Sequence, residues 1–261
     1  MSLILTSLED SIGTITLNNP QKRNCLSNEL LREIIAAFEL FKQREIRVVI
    51  LRSDKGQQIW SAGLDINELP EPRRNPLSYE DPLEQVMRKI QEFPGLVIAM
   101  IQGKVYGGAC EMACTCDLVV GCEKTVFSMT PVRLGIPYNI TGILHIVNRV
   151  GHNIAKEMML TAEIIDAQRA YGVGLLNYLV REEELEKFTY ELAKDNLENS
   201  PLSTAVTKEI FGILGEAHPI TPGNFERIAG LRRRVYDSQD YKEGIKAFKE
   251  KRKPDFTGCI K

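Results

Sequence analysis

Three short, uninterrupted apolar runs constrain the fold of this chain more than any other feature. They span residues 48–51, 96–101 and 118–120. A strand that is buried on both faces is apolar throughout, whereas a strand with one solvated face alternates polar and apolar residues. An amphipathic helical pattern over residues 83–90 separates the first two runs, and parallel strands require crossovers of this kind. The sequence therefore predicts an α/β fold with a largely parallel sheet.

The two ends of the chain follow different patterns. Polar and apolar residues alternate around a turn at residues 10–13, which predicts an antiparallel hairpin. Ser27 is placed to cap the helix that follows. Beyond Pro131, helical patterns replace strands, and Pro201 stands in the first turn of one of them. The other predicted helices span residues 143–150, 154–160, 167–173, 185–197, 225–235 and 245–251.

Composition excludes several classes of function. The chain has 261 residues, 43% of them apolar, and a formal net charge of −2. A near-balanced charge disfavours nucleic-acid binding, and a mean hydropathy of −0.17 disfavours an integral membrane protein. No basic region precedes the short apolar start, so no secretory leader is predicted and we expect a cytoplasmic protein. The proline-rich stretch at residues 69–82 is predicted to be a mobile loop over a binding site.

The cysteines and histidines give little indication of a metal site or of a catalytic residue. The six cysteines are expected to be reduced thiols, and the spacing of the four between residues 110 and 122 fits no zinc pattern, so no metal is predicted. Two of the three histidines, His145 and His152, lie in apolar helical patterns and are interpreted as structural or surface residues. His218 precedes a proline and carries little signal.

Two glycine-bearing segments follow predicted strands. Residues 60–66 read W-S-A-G-L-D-I, and residues 103–112 read G-K-V-Y-G-G-A-C-E-M. A Gly-Gly turn that opens a helix directs free N–H groups and the positive end of the helix dipole at a ligand oxygen. The alternative is that Gly107 and Gly108 only make a tight turn between strand and helix. The pairing of the two segments favours a binding site.

These motifs, S-A-G-x-D-I and G-x-x-x-G-G-A-x-E, resemble those of the crotonase (enoyl-CoA hydratase/isomerase) superfamily. The resemblance implies an α/β crotonase-like ββα superhelix over residues 1–200, followed by a C-terminal helical trimerisation region over residues 201–261. It also implies an acyl-CoA substrate, no separate cofactor, and a homotrimer or a dimer of trimers.

The resemblance also assigns candidate site residues. Two backbone N–H groups, those of Leu64 and Gly108, would contact the thioester oxygen, and an oxyanion hole of this kind stabilises a developing enolate. Glu111 matches the first carboxylate of the family's hydratases. The residues implied to bind substrate or CoA are Lys22, Arg23, Ala62, Gly63, Leu64, Asp65, Ile66, Gly108, Thr130 and Lys251, the last of them across a subunit boundary.

One substitution separates the possible reactions. Val132 stands where the hydratases carry a second glutamate, and valine cannot transfer a proton. Further segments, at residues 127–131, 134–139 and 250–254, resemble a decarboxylase branch that converts methylmalonyl-CoA to propionyl-CoA and CO2 without biotin. In that reaction the phenol of Tyr138 would orient the departing carboxylate, and Glu111 would be protonated or hydrogen-bonded away, for example to Tyr138.

Alternatives remain open at this point. Leu64 replaces a histidine of the decarboxylase branch, which removes any side-chain role at that position but keeps the backbone N–H. Two other hypotheses are an enoyl-CoA hydratase or isomerase, and a CoA-binding protein of the same fold that has no turnover. The sequence does not decide which malonyl-type thioester is used.

Overall fold

Two β-sheets organise the fold in a computed structural model that describes residues 2–69, 79–216 and 221–258. Its strands are β1 (Ile4–Glu9), β2 (Ile12–Leu17), β3 (Val48–Ser53), β4 (Ile59–Ser61), β5 (Leu96–Ile101), β6 (Lys104–Tyr106), β7 (Leu118–Cys122), β8 (Val126–Ser128), β9 (Ile165–Asp166) and β10 (Tyr178–Val180). The larger sheet has the order β1-β2-β3-β5-β7-β10, and the smaller has the order β4-β6-β8-β9. The pairs β1–β2 and β8–β9 are antiparallel, and the other neighbours in these sheets are parallel.

The chain advances through the two sheets as a spiral. Its α-helices in the described residues are α1 (Asn28–Gln43), α2 (Pro82–Glu92), α3 (Gly108–Thr115), α4 (Ile140–Thr161), α5 (Ala167–Gly172), α6 (Glu182–Leu197), α7 (Pro201–Gly215), α8 (Pro222–Tyr236) and α9 (Gln239–Lys249). Three successive turns are β3-β4-α2, β5-β6-α3 and β7-β8-α4, each with one strand in either sheet. The predicted ββα superhelix is therefore confirmed.

The apolar runs become strands because both faces of the larger sheet are covered. In β3, Val49 and Leu51 pack in one hydrophobic cluster, which includes residues of α1. Val48 and Ile50 pack in a second cluster, which Leu185 of α6 helps to form. Alternate side chains of β5 divide between the same two clusters. A strand with no solvated face reads as a continuous apolar run, as the sequence predicted.

Several local predictions were confirmed and others were wrong. The hairpin β1–β2 is present, and the Ser27 side chain accepts a hydrogen bond from the Leu30 N–H at the start of α1. The helices predicted at 143–150 and 154–160 both lie within α4, one on each side of a break at Gly151, whose φ is 73° and ψ is 168°. The sequence missed β9 and β10 because strands of two and three residues carry too few side chains for a periodic signal. Most of the predicted loop at 69–82, residues 70–78, lies outside the described residues.

The C-terminal helices differ in how closely they pack on the spiral. Helix α7 has no buried residue, and its large apolar side chains are exposed at Leu202, Val206, Ile210, Phe211, Ile213 and Leu214. Helix α9 contacts a short 3-10 helix, Pro131–Leu134, that precedes α4. No helix within the described ranges is both long and apolar enough to cross a membrane.

Candidate active site

The two glycine-bearing segments meet where β4 and β6 end. Gly63 has a φ of +82°, and a Cβ built on it would lie 2.5 Å from the Tyr106 carbonyl oxygen. The same Cβ would lie 3.3 Å from the Gly108 nitrogen. Only glycine tolerates both this backbone conformation and this close approach. Gly63 therefore brings the segment after β4 against the turn that begins α3.

Two backbone N–H groups are available at this junction. Leu64 is bridged to Leu26, but the bridge uses the N–H groups of Leu26 and Asp65 and leaves that of Leu64 free. Gly108 is the first residue of α3, where an N–H has no partner within the helix. Neither N–H has an acceptor among the residues that the structure describes. A Cβ on Gly108 would stand 3.8 Å from the Leu64 nitrogen, so the two donors lie side by side.

Glu111 lies one turn into α3 and is fully buried. The Tyr138 hydroxyl donates to its Oε2 at 2.5 Å, and His145 Nδ1 lies 2.9 Å from its Oε1. Burial and the neighbouring Glu111 charge hold the pKa of the Tyr138 phenol well above its ordinary value. The phenol therefore stays protonated, and its O–H donates a hydrogen bond to Glu111. The predicted contact between Glu111 and Tyr138 is present.

The hydrogen bonds continue beyond His145. The Gln91 amide nitrogen lies 3.2 Å from His145 Nε2. With the Gln91 amide nitrogen as the donor, Nε2 accepts, and Nδ1 carries a proton that faces Glu111. A chain of hydrogen bonds thus runs from Gln91 through His145 and Glu111 to Tyr138.

A second buried carboxylate, Glu84, enters from α2. Its Oε1 accepts a hydrogen bond from the Asn139 side-chain amide, and Asn139 Oδ1 in turn accepts from the Gly142 N–H at the start of α4. Burial, and then the charge of Glu111, raise the pKa of Glu84 to about 7.

The turn before Tyr138 supplies no carboxylate. Val132, at the position of the hydratases' second glutamate, lies in the 3-10 helix Pro131–Leu134 and is 40% exposed. Thr130, just before it, is half-buried, and its Oγ1 would lie 3.4 Å from a Cβ on Gly107. Thr130 is therefore close to the turn that presents the Gly108 N–H.

Part of the predicted CoA-binding set comes together. Lys22 and Arg23 are exposed after β2, and the Ala62 N–H donates to the Arg23 carbonyl oxygen at 3.0 Å. The two basic residues thus border the segment of residues 62–66. Lys251 is exposed beyond α9, and its N–H donates to the Phe248 carbonyl oxygen. No hydrogen bond or ion pair among the described residues joins Lys251 to residues 62–66.

The chain matches a family model over most of its length. The model, described as enoyl-CoA hydratase/isomerase, matches residues 7–259. The chain belongs to the enoyl-CoA hydratase/isomerase family. It is 48% identical over 249 residues to methylmalonyl-CoA decarboxylase from Escherichia coli strain K12, with 95% of each protein covered. It is 29% identical over 260 residues to 2,3-dehydroadipyl-CoA hydratase from the same organism, with 99% of this chain and 100% of that protein covered.

Solved structures of this family agree with the fold. Methylmalonyl-CoA decarboxylase complexed with 2S-carboxypropyl CoA superimposes with a TM-score of 0.97 at 46% identity, with 99% of both chains covered. The complex of methylmalonyl-CoA decarboxylase with 2-nitronate-propionyl-CoA gives a TM-score of 0.96, also at 46% identity, with 98% of this chain and 99% of that chain covered. The crotonase fold predicted from the two motifs is confirmed.

Sequence reasoning missed part of the site in this family member. His145 was interpreted as structural or surface, yet it contacts the buried Glu111. Glu84 and Gln91 were not singled out, because on a helix they look like ordinary polar residues. Gly142 was missed as well, although a Cβ on it would overlap the Tyr138 ring. The only signal in the sequence was the helical spacing of Glu84 and Gln91, seven residues apart and so on one face of α2.

The buried Glu84 predicts a pH-dependent stability. The folded protein holds the Glu84 proton up to about pH 7, whereas the unfolded chain releases it near its ordinary pKa of about 4.3. Because the native state binds more protons, the free energy of unfolding contributed by Glu84 falls as pH rises between these values and is constant above pH 7. We compare the free energies of unfolding in urea of Glu84→Gln and the unaltered protein. The stability of the variant relative to the unaltered protein should be about 1–3 kcal/mol higher at pH 8 than at pH 4.5.

Glu92→Gln, on the exposed side of the same helix, is the matched control and should track the unaltered protein at both pH values. A Glu84→Gln variant that does the same would show that Glu84 ionises normally in the fold.

Proposed function

We propose that the protein decarboxylates methylmalonyl-CoA to propionyl-CoA and CO2, without biotin, through a thioester enolate. The observation that carries the proposal is the pairing of two N–H donors without acceptors among the described residues, on Leu64 and Gly108, with a phenol that donates to Glu111 of the same helix as Gly108. The 48% identity to a methylmalonyl-CoA decarboxylase supports the same reaction.

The thioester end of the site would take up the developing charge. When the bond between C2 and the carboxylate breaks, its electron pair moves toward the thioester carbonyl, and the oxygen becomes an enolate. The Leu64 and Gly108 N–H groups, together with the positive end of α3, stabilise that oxygen without reorganising. Only the backbone is required at position 64, so leucine is compatible with this role. The enolate carbon then takes up one proton from solvent water to give propionyl-CoA.

The carboxylate end would orient the group that leaves. Loss of CO2 needs the breaking bond perpendicular to the thioester plane, and a hydrogen bond from Tyr138 fixes that geometry. In the free protein the single phenol proton is donated to Glu111. With substrate bound, two anions share that proton, which keeps the substrate carboxylate weakly stabilised. Because the charge moves away from Glu111 as neutral CO2 leaves, the repulsion is relieved in the transition state.

The rest of the substrate would lie along the surface that includes Lys22 and Arg23. The backbone of residues 62–66 borders these two side chains and would follow the pantetheine and adenine, while Thr130 would face the acyl group. Lys251 would reach the CoA phosphates from a neighbouring subunit. The exposed apolar side chains of α7 support an assembly, proposed as a homotrimer or a dimer of trimers built by residues 201–261 on a catalytic core of residues 1–200.

An acyl-CoA panel tests the proposal. The purified protein is incubated with methylmalonyl-CoA, ethylmalonyl-CoA, malonyl-CoA and crotonyl-CoA, and the products are separated by chromatography and mass spectrometry. Propionyl-CoA from methylmalonyl-CoA is the expected result. Hydration of crotonyl-CoA without decarboxylation would point to a hydratase, and CoA binding by calorimetry with no turnover would point to a binding protein. Either outcome would overturn the proposed function.

A further inference from the structure

We propose that His145 is a positioning residue that fixes the charge of Glu111 and, through it, the direction in which Tyr138 donates its proton. The inference rests on the proposed decarboxylation for its kinetic consequence. Its structural part, an effect of His145 on Tyr138, stands independently of any reaction.

The geometry makes His145 a hydrogen-bond donor to Glu111. Its Nε2 lies beside the Gln91 amide nitrogen, and its Nδ1 lies 2.9 Å from Glu111 Oε1, where it donates to the carboxylate. The other oxygen of Glu111 accepts the Tyr138 hydroxyl. Glu111 is fully buried and thus has a donor on each oxygen and no access to water. Two donors stabilise the ionised form of a buried carboxyl group.

Loss of the imidazole would reverse the direction of the hydrogen bond between Tyr138 and Glu111. A buried carboxylate oxygen without a donor is costly, and the carboxyl group can avoid this by taking up a proton. A protonated Glu111 can donate to the Tyr138 oxygen, which then turns its own proton toward the substrate. The substrate carboxylate would then accept a full hydrogen bond from Tyr138 and would be repelled less by Glu111. We therefore expect KM and kcat to fall together, which is the signature of lost ground-state destabilisation.

The fold should tolerate a smaller side chain at this position. His145 lines one wall of an open cavity of about 800 Å³ between α2, α3, α4 and α7, so truncation enlarges an existing space rather than creating a closed void. Gln91, at the end of the chain of hydrogen bonds, lines the same cavity and is exposed. Gln91→Leu therefore offers a second variant that releases the imidazole without touching the core.

The kinetic test uses four single variants, Tyr138→Phe among them, and one double variant with methylmalonyl-CoA. His145→Ala should lower kcat by about fivefold and KM by about twofold, and His145→Asn, whose amide can donate to Glu111, should recover at least half of the lost kcat. His152→Ala changes an exposed histidine of the same helix and should leave both constants unchanged. In a Tyr138→Phe background, His145→Ala should have less than about twofold effect, because the two residues act as one unit.

The structural test does not need turnover. In protein labelled with ¹³Cζ-tyrosine, the Tyr138 signal is identified by its absence from the Tyr138→Phe spectrum. His145→Ala and Gln91→Leu should both shift that signal, and His145→Asn and His152→Ala should leave it near its original position. An unshifted Tyr138 signal in a folded His145→Ala variant overturns the inference, whether or not the protein decarboxylates methylmalonyl-CoA. A raised KM in that variant would overturn it as well.

Discussion

Gly108→Pro is expected to lower kcat for methylmalonyl-CoA by about 10²–10³-fold, which is the usual consequence of losing one oxyanion-hole donor. Proline has no N–H, so the variant removes the bond from Gly108 to the thioester oxygen. The helix should persist because proline is favoured at the first helical position, which Gly108 occupies in α3. Steady-state kinetics together with circular dichroism would measure both effects.

Gly108→Ala is the matched control for this substitution. It adds the same Cβ, which would lie 3.2 Å from Leu83 Cδ2, the end of a flexible side chain, but it retains the N–H. The ratio of kcat between the alanine and proline variants separates the effect of the added Cβ from the effect of replacing the N–H with the proline ring. If the two variants turned over equally, the Gly108 N–H would have no part in the reaction.

Tyr138→Phe is expected to lower kcat by about tenfold or more, on the order of 1.4 kcal/mol, while CoA binding stays nearly unchanged. Phenylalanine keeps the ring that packs against Gly142 but removes the hydroxyl that donates to Glu111. The substrate carboxylate then has no donor to hold the breaking bond perpendicular to the thioester. Turnover assays and calorimetry with CoA would separate the two quantities.

Tyr171→Phe provides the comparison, since Tyr171 is exposed on α5 and far along the chain from the site. It should behave as the unaltered protein. A folded Tyr138→Phe variant with unaltered kcat would remove Tyr138 from the proposed mechanism.

The parts of the site that follow strands were predictable, and the parts that depend on helix packing were not. Gly63 and Gly108 are recognisable because a backbone that approaches another closely requires glycine at fixed places in the sequence. The contact between Glu111 and Tyr138 followed from the electrostatics of the reaction. His145, by contrast, is one polar residue in an apolar helix, and only the packing of α4 against α3 places it beside Glu111.

The same division applies to the fold. The strands β3 and β5 are long enough for their burial on both faces to mark the sequence. The strand β10 has three residues, and its membership of the larger sheet depends on pairing with β7, more than 50 residues earlier. A local sequence pattern cannot indicate that two strands so far apart in the chain are paired.

The short helix α3 also sets a length scale for the acyl group. Gly108 and Glu111 are three residues apart on this one helix, a separation of about 4.5 Å along its axis. The group assigned to the thioester oxygen and the group that holds Tyr138 are thus fixed to one another by helical pitch, not by a loop that can adjust. A thioester with an additional methylene between its carbonyl and its carboxylate would require Tyr138, in the loop before α4, to move away from Glu111. Selection for a malonyl-type chain length over a succinyl-type one would then rest on the pitch of α3 together with the hydrogen bond that ties Tyr138 to it.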